Sequence, residues 1–124
     1  MSSVEQKIKD LGLTLPETSK PLAAYIPAVQ TGNLVFTSGQ LPMVDGKLSV
    51  TGKVGAEVSV EQAKALAEVC ALNALAAIKM AIGDLDKIKR VVKVVGFVAS
   101  APDFSSQPAV VNGASELLLS LIHI

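Results

Sequence analysis

The 124 residues predict an α+β domain, with a mixed β-sheet lying on one side of two long helices. Three observations carry that expectation. Residues 60–82 keep helical character from a Ser59/Gln62 capping box to Gly83. Two β-rich runs, residues 24–30 and 34–38, flank a Thr-Gly-Asn turn suited to a hairpin with a positive-φ position. Residues 91–99 place Val91, Val95, Phe97 and Ala99 on one face and Val92, Val94 and Val98 on the other. A strand apolar on both faces belongs inside a sheet covered on both sides.

From the N-terminus, Ser2 or Ser3 caps a short helix over residues 4–11, closed by Gly12, with Val4, Ile8 and Leu11 as its apolar stripe. Residues 13–21, with Pro16 and Pro21, read as an irregular lead-in. Residues 1–21 therefore form an N-terminal helix and connector, and 22–124 the domain proper. Pro27 cannot donate to a ladder, so the first strand is an edge or a bulged strand. Asp45-Gly46 signals a second turn, and the chain on to Val54 adds a short strand or a loop. On the long helix Glu61, Lys64, Glu68 and Lys79 share one stripe, the expected solvent face. Leu72 and Leu75 fall in the same stripe, so another element should cover its middle. The other faces are rich in alanine, valine and isoleucine, small enough for close packing on a sheet. Ser105 or Ser106, with Pro108 in the first turn, opens a last helix to about Leu121. Its buried stripe is Val110, Val111, Ala114, Leu117, Leu118 and Leu121.

The totals exclude several functions. Eleven basic residues balance eleven acidic ones, which argues against an electrostatic grip on nucleic acid or an anionic membrane. Lys87, Lys89, Arg90 and Lys93 cluster without interleaved aromatics and read as a solvated strand entry. One cysteine rules out an internal disulfide, and one cysteine with one histidine makes a metal site or metal cofactor unexpected. Cys70, mid-helix with no base nearby, reads as a buried inert thiol, and His123 as a solvent-exposed end residue. The apolar stretches carry lysine, glutamate or asparagine too often for a bilayer span, and no secretory signal is visible, so the expected location is cytoplasmic.

The chemistry concentrates where the second strand ends, at Ser38-Gly39-Gln40-Leu41-Pro42. Glycine lets the backbone be approached closely, while serine and glutamine set donors and acceptors at the strand's mouth. With Tyr25 before the first strand and the Gly32-Asn33 turn, this run resembles the RidA/YjgF family of reactive-intermediate (imine/enamine) deaminases, also labelled endoribonuclease L-PSP. The similarity continues through the long helix, the Gly83-Asp84-Leu85 loop with the strand after it, and Asp103-Phe104 ahead of Val111-Asn112.

That resemblance implies a chorismate-mutase-like fold and a homotrimeric barrel whose bare sheet faces meet inside, with pockets between subunits. It implies a small-molecule carboxylate ligand, no cofactor, and hydrolysis of 2-imino or enamino acids to 2-keto acids and ammonia. Tyr25 would line the pocket, Ser38 would supply a hydroxyl, Gly39 and Gln40 would form the rim, and Asn112 would stand at the edge. The family's carboxylate-binding arginine and its later glutamate have no counterpart here, because the sequence stops before both. Arg90 precedes the strand and does not occupy the motif, so no catalytic residue is assigned. Two expectations fit: a shortened form of a longer member, favoured because a lost strand exposes a sheet edge, or a native short form. The second would be a non-catalytic binding or regulatory trimer; an RNA-cleaving translation inhibitor is a weaker third reading.

Overall fold

The computed structural model describes residues 2–17 and 24–122. Helix α1 (Ser3–Asp10) is followed by strands β1 (Ala28–Thr31), β2 (Leu34–Thr37), β3 (Met43–Val44) and β4 (Lys47–Leu48). Helix α2 (Val60–Ile82), a 3₁₀ turn (Leu85–Lys87) and helix α3 (Gln107–Leu121) complete the order. Part of the expected lead-in, with Pro21, and His123 lie outside the described residues.

Helix α2 starts as its sequence requires. The Ser59 hydroxyl accepts from the Gln62 N–H, the Gln62 side chain accepts from the Ser59 N–H, and Gly83 ends the helix at φ +87°. Leu72 and Leu75 are covered as the charged stripe implied. They pack with Val4 and Ile8 of α1, Leu85 of the 3₁₀ turn, and Leu117 and Leu121 of α3. The flanking charges of that stripe reach the covering helices rather than only water: Lys64 pairs with Glu116 of α3 at 3.0 Å, and Lys79 pairs with Glu5 of α1. By length and mean hydropathy α2 is apolar enough to cross a membrane, contrary to the sequence expectation. Its middle is instead a packing surface between α1, α3 and the hairpins.

The crossing of α2 and α3 is very close. A Cβ built on Gly113 would lie 2.0 Å from the Lys64 carbonyl oxygen, so only glycine lets the two backbones meet there. A smaller cluster of Val54, Val58, Ala63 and Val110 extends the core toward the start of α2. Helix α1 is held from a distance. Ser2 caps it, and both oxygens of the Asp86 carboxylate accept its first N–H groups, from Ser3 at 2.7 Å and Val4 at 2.9 Å. These are the orphan donors that an isolated helix leaves to water.

The sheet departs from expectation. β1 and β2 pair antiparallel around Gly32-Asn33, and β3 and β4 pair around Asp45-Gly46, whose positive φ values suit a tight two-residue turn. Among the described residues these are two separate two-stranded sheets, not one mixed sheet. β1 begins only after Pro27, four residues later than read from sequence. Residues 91–99 make no strand: the nearest pairing is an isolated parallel bridge from Val54 to Ser100. Their composition is that of an inner strand, but a strand exists only where neighbours supply ladder bonds. Their side chains stay largely uncovered, Val92 being 72% and Phe97 94% exposed.

Two outcomes follow from this packing. Gly113→Ala should lose about 1–3 kcal/mol or more of unfolding free energy, read as a lower urea midpoint with the far-UV spectrum retained. The Lys79 ammonium, bonding Glu5, and then the Ser2 N–H hold the Glu5 carboxyl below its usual value. A depressed carboxyl stabilises the fold at neutral pH, and that contribution disappears as pH falls through the lowered pKa. Urea midpoints of the wild type and Glu5→Gln should therefore differ at pH 7 and converge below the ordinary carboxylate range.

Candidate functional site

The Ser38 stretch leaves β2 as a loop and is bonded on three sides. The Ser38 N–H donates to the Pro27 carbonyl at 2.8 Å, carrying the hairpin pairing one step past the strand. The Ser38 hydroxyl donates to the Ile26 carbonyl, which fixes the segment holding Tyr25 beside the loop. Because its proton is engaged there, the Ser38 oxygen faces other groups through its lone pairs. The Gln40 side chain donates back to the Ser38 carbonyl at 3.2 Å.

A further clamp comes from α2. The Asn73 Nδ2 donates to the Leu41 carbonyl at 3.0 Å and to the Met43 carbonyl at 3.1 Å. Both partners are acceptors, so the orientation of the amide is unambiguous. The carbonyls of Ser38, Leu41 and Met43 are thus all occupied. The backbone N–H groups of Gly39 and Gln40 bond to none of the described residues. The carbonyls flanking Gly39 and Gln40 are therefore bonded, while two successive donors between them are available. Gly39 itself is exposed, its φ is not positive, and an added Cβ would meet no heavy atom within 4 Å.

Tyr25, Ser38, Gly39 and Gln40 are accordingly brought together at one edge of the hairpin, with Tyr25 about half exposed. Asn112 is not. It is exposed on the second turn of α3, a helix that touches α2 and α1 but neither hairpin. Arg90 is exposed just past the 3₁₀ turn. Two open concavities, of about 240 and 220 Å³, lie elsewhere: one beside Leu11, Glu68 and Glu116, the other beside Ser3, Asp86 and Lys89. Sequence reasoning missed Asn73. Its signal was there, since asparagine is a poor helix former and stands alone in the run Cys70-Ala71-Leu72-Asn73-Ala74-Leu75.

A hairpin whose second strand ends in Ser-Gly-Gln, backed by a long alanine-rich helix, defines a class, and comparison with known proteins agrees. Residues 5–123 match the family described as YjgF/chorismate mutase-like, putative endoribonuclease, and the chain belongs to it. It is similar to protein TCP17 of Trypanosoma cruzi, 42% identical over 118 residues, covering 95% of this chain and 74% of that protein. The crystal structure of Atu1372 from Agrobacterium tumefaciens, a protein of unknown function, superposes with a TM-score of 0.88 at 48% identity, over 98% of this chain and 73% of the other. A putative endoribonuclease from Shewanella oneidensis MR-1 gives a TM-score of 0.88 at 33% identity, over 97% and 80%. These likenesses bear out the chorismate-mutase-like α+β fold, realised here with helices and short strands.

Cys70 sits on α2 three residues before Asn73. It is half-buried, and desolvation pushes its thiol up to about 11, so it is protonated at neutral pH. An aromatic disulfide reagent at pH 7.5 should modify the folded chain at least ~10-fold more slowly than the chain in denaturant, as followed by absorbance of the released thiolate.

Proposed function

We propose that the Ser38–Gln40 loop is the rim of a small-molecule site. Its ligand is a carboxylate-bearing imine or enamine, hydrolysed there to a 2-keto acid and ammonia. The observation that carries this reading is Gly39. Neither its conformation nor any neighbour among the described residues demands a glycine, yet the residues on both sides are tightly bonded. A missing side chain at such a point leaves room for something that approaches from outside. The N–H groups of Gly39 and Gln40 are the donors a carboxylate would meet, and hydrogen bonds to a charged acceptor are the stronger kind. Water adds to the C=N carbon, the tetrahedral carbinolamine expels ammonia, and the C=O of the keto acid forms. The Ser38 oxygen, accepting only, can hold the proton of that water or of the imine nitrogen beside the loop.

The site is completed by a second copy of the chain. Val29 and Phe36, directly paired across β1 and β2, are both about half exposed, as is Leu34 on the same face, and Phe97 is almost wholly so. Large apolar groups in this number on one small domain exceed what a lone soluble unit normally shows. We assign their burial to a homotrimer, in which Asn112 could line the loop only from a neighbouring copy, because α3 touches neither hairpin of its own chain. Both supports concern surfaces, and neither depends on where the chain ends.

The reading is tested with 2-iminopropionate generated in situ from alanine by an amino-acid oxidase. The wild type should speed pyruvate and ammonia release at least ~10-fold over the protein-free rate, and Ser38→Ala and Tyr25→Phe should reduce that gain several-fold. Sedimentation should give a trimer. Saturable pyruvate binding without turnover would reduce the proposal to a binding or regulatory trimer. Absence of both binding and turnover would remove the loop as a site.

A further inference from the structure

We infer that Asn73 is a positioning residue for the Ser38–Gln40 loop: from α2 it anchors the chain just past the loop, at Leu41 and Met43, and so holds in place the segment that carries the free N–H groups. This rests on the reading of that loop as the ligand rim.

The geometry is specific. One amide nitrogen donates at once to the carbonyls of Leu41 and Met43, and a third bond, from the Met43 N–H to the Leu41 carbonyl at 2.8 Å, closes the turn around Pro42. The Leu41 carbonyl therefore takes two donors. With the Gln40 side chain on the Ser38 carbonyl, the carbonyls at both ends of the loop are tied down. Each peptide unit is planar, so the Gln40 bond to the Ser38 carbonyl fixes the direction of the Gly39 N–H in the same unit, while Asn73 anchors the chain on the other side of Gln40. The Leu41 carbonyl shares its unit with the nitrogen of Pro42, which has no proton, so this clamp spends no donor of the loop itself. Asn73 lies on the alanine-rich side of α2, where any purely apolar residue would leave both carbonyls without their side-chain donor.

A preorganised donor pair binds an anion better than a mobile one, because the ordering cost is met before the ligand arrives. Asn73 touches no ligand in this account; it acts through the loop. Two hydrogen bonds of ordinary net strength allow an effect of about tenfold or somewhat more on ligand affinity.

The test compares the wild type with Asn73→Asp, which keeps the volume but replaces both donors with acceptors, and with Asn73→Ala, which removes them without adding charge. Pyruvate is the probe, titrated while the backbone amide signals are followed by NMR. In both variants the signals of Gly39, Gln40 and Leu41 should shift or broaden while those of residues 60–70 stay in place. Pyruvate should bind at least ~10-fold more weakly. A residue that merely stabilised α2 would lower the melting temperature and leave the loop signals of the folded fraction where they were. Unmoved loop signals in Asn73→Ala, or unchanged pyruvate affinity beside a wild type that binds it, overturn the inference. If the wild type itself ignores pyruvate, the ligand-rim reading fails and takes the binding role of Asn73 with it. Loop signals that still move in the variants would then establish the clamp as a purely structural one. Should Asn73→Asp not fold, the alanine variant alone decides.

Discussion

The approach of α3 to α2 at Gly113, where one helix backbone lies against the Lys64 carbonyl of the other, sets the spacing of everything else in the chain. Helices that cross over a larger residue sit farther apart. At this distance Leu117 and Leu121 reach Leu72 and Leu75, and the space left at the end of the crossing is filled by Val4 and Ile8 of α1. The same residues close over Leu85, which is wholly buried. Charges at the margins of this seam, Lys64 with Glu116 and Lys79 with Glu5, are partly exposed and contribute little apiece. They align helices that apolar burial holds together.

The opposite side of α2 is built differently. It sets the polar Asn73 among apolar residues, and polar contacts give the hairpins their direction. Asn73 supplies one pair and Ser38 another, and between them they hold a loop in which two successive donors stay available. One face of the chain is thus a dry helical core, and the other carries lightly anchored hairpins with Val29 and Phe36 still about half exposed. Core and candidate site share a helix yet are stabilised by different forces. A change at the Asn73 clamp can therefore alter the loop without loosening the core.

Local signals located the helices closely. The Ser59/Gln62 box, Gly83 and the Ser2 cap act through bonds three or four residues long, so their meaning does not depend on the rest of the fold. The leucines amid the charges of α2 correctly announced a covering element, because two large apolar side chains gain free energy only when something removes them from water. The reading of residues 91–99 as a central strand failed on the same logic: valine records a preference for a pleated, covered surface but carries no information about which neighbour donates the ladder. Ser38 stood out in the sequence as a candidate, but the direction of its hydroxyl, toward Ile26, was not legible. Asn73 was visible as an oddity and uninterpretable, since its partners lie 30 and 32 residues away.

The sequence by itself determined the helices, the caps of α1 and α2, the tight turns and the family, all properties written in short-range pattern and residue type. Tertiary structure alone decided that Gly113 is a backbone contact, that Asp86 caps a helix from 83 residues away, that Asn112 stands apart from Ser38, and that Gly39 faces open space. Each of these depends on two stretches of chain meeting after long separation. Such meetings are set by the packing of the whole core, which no local window of residues contains.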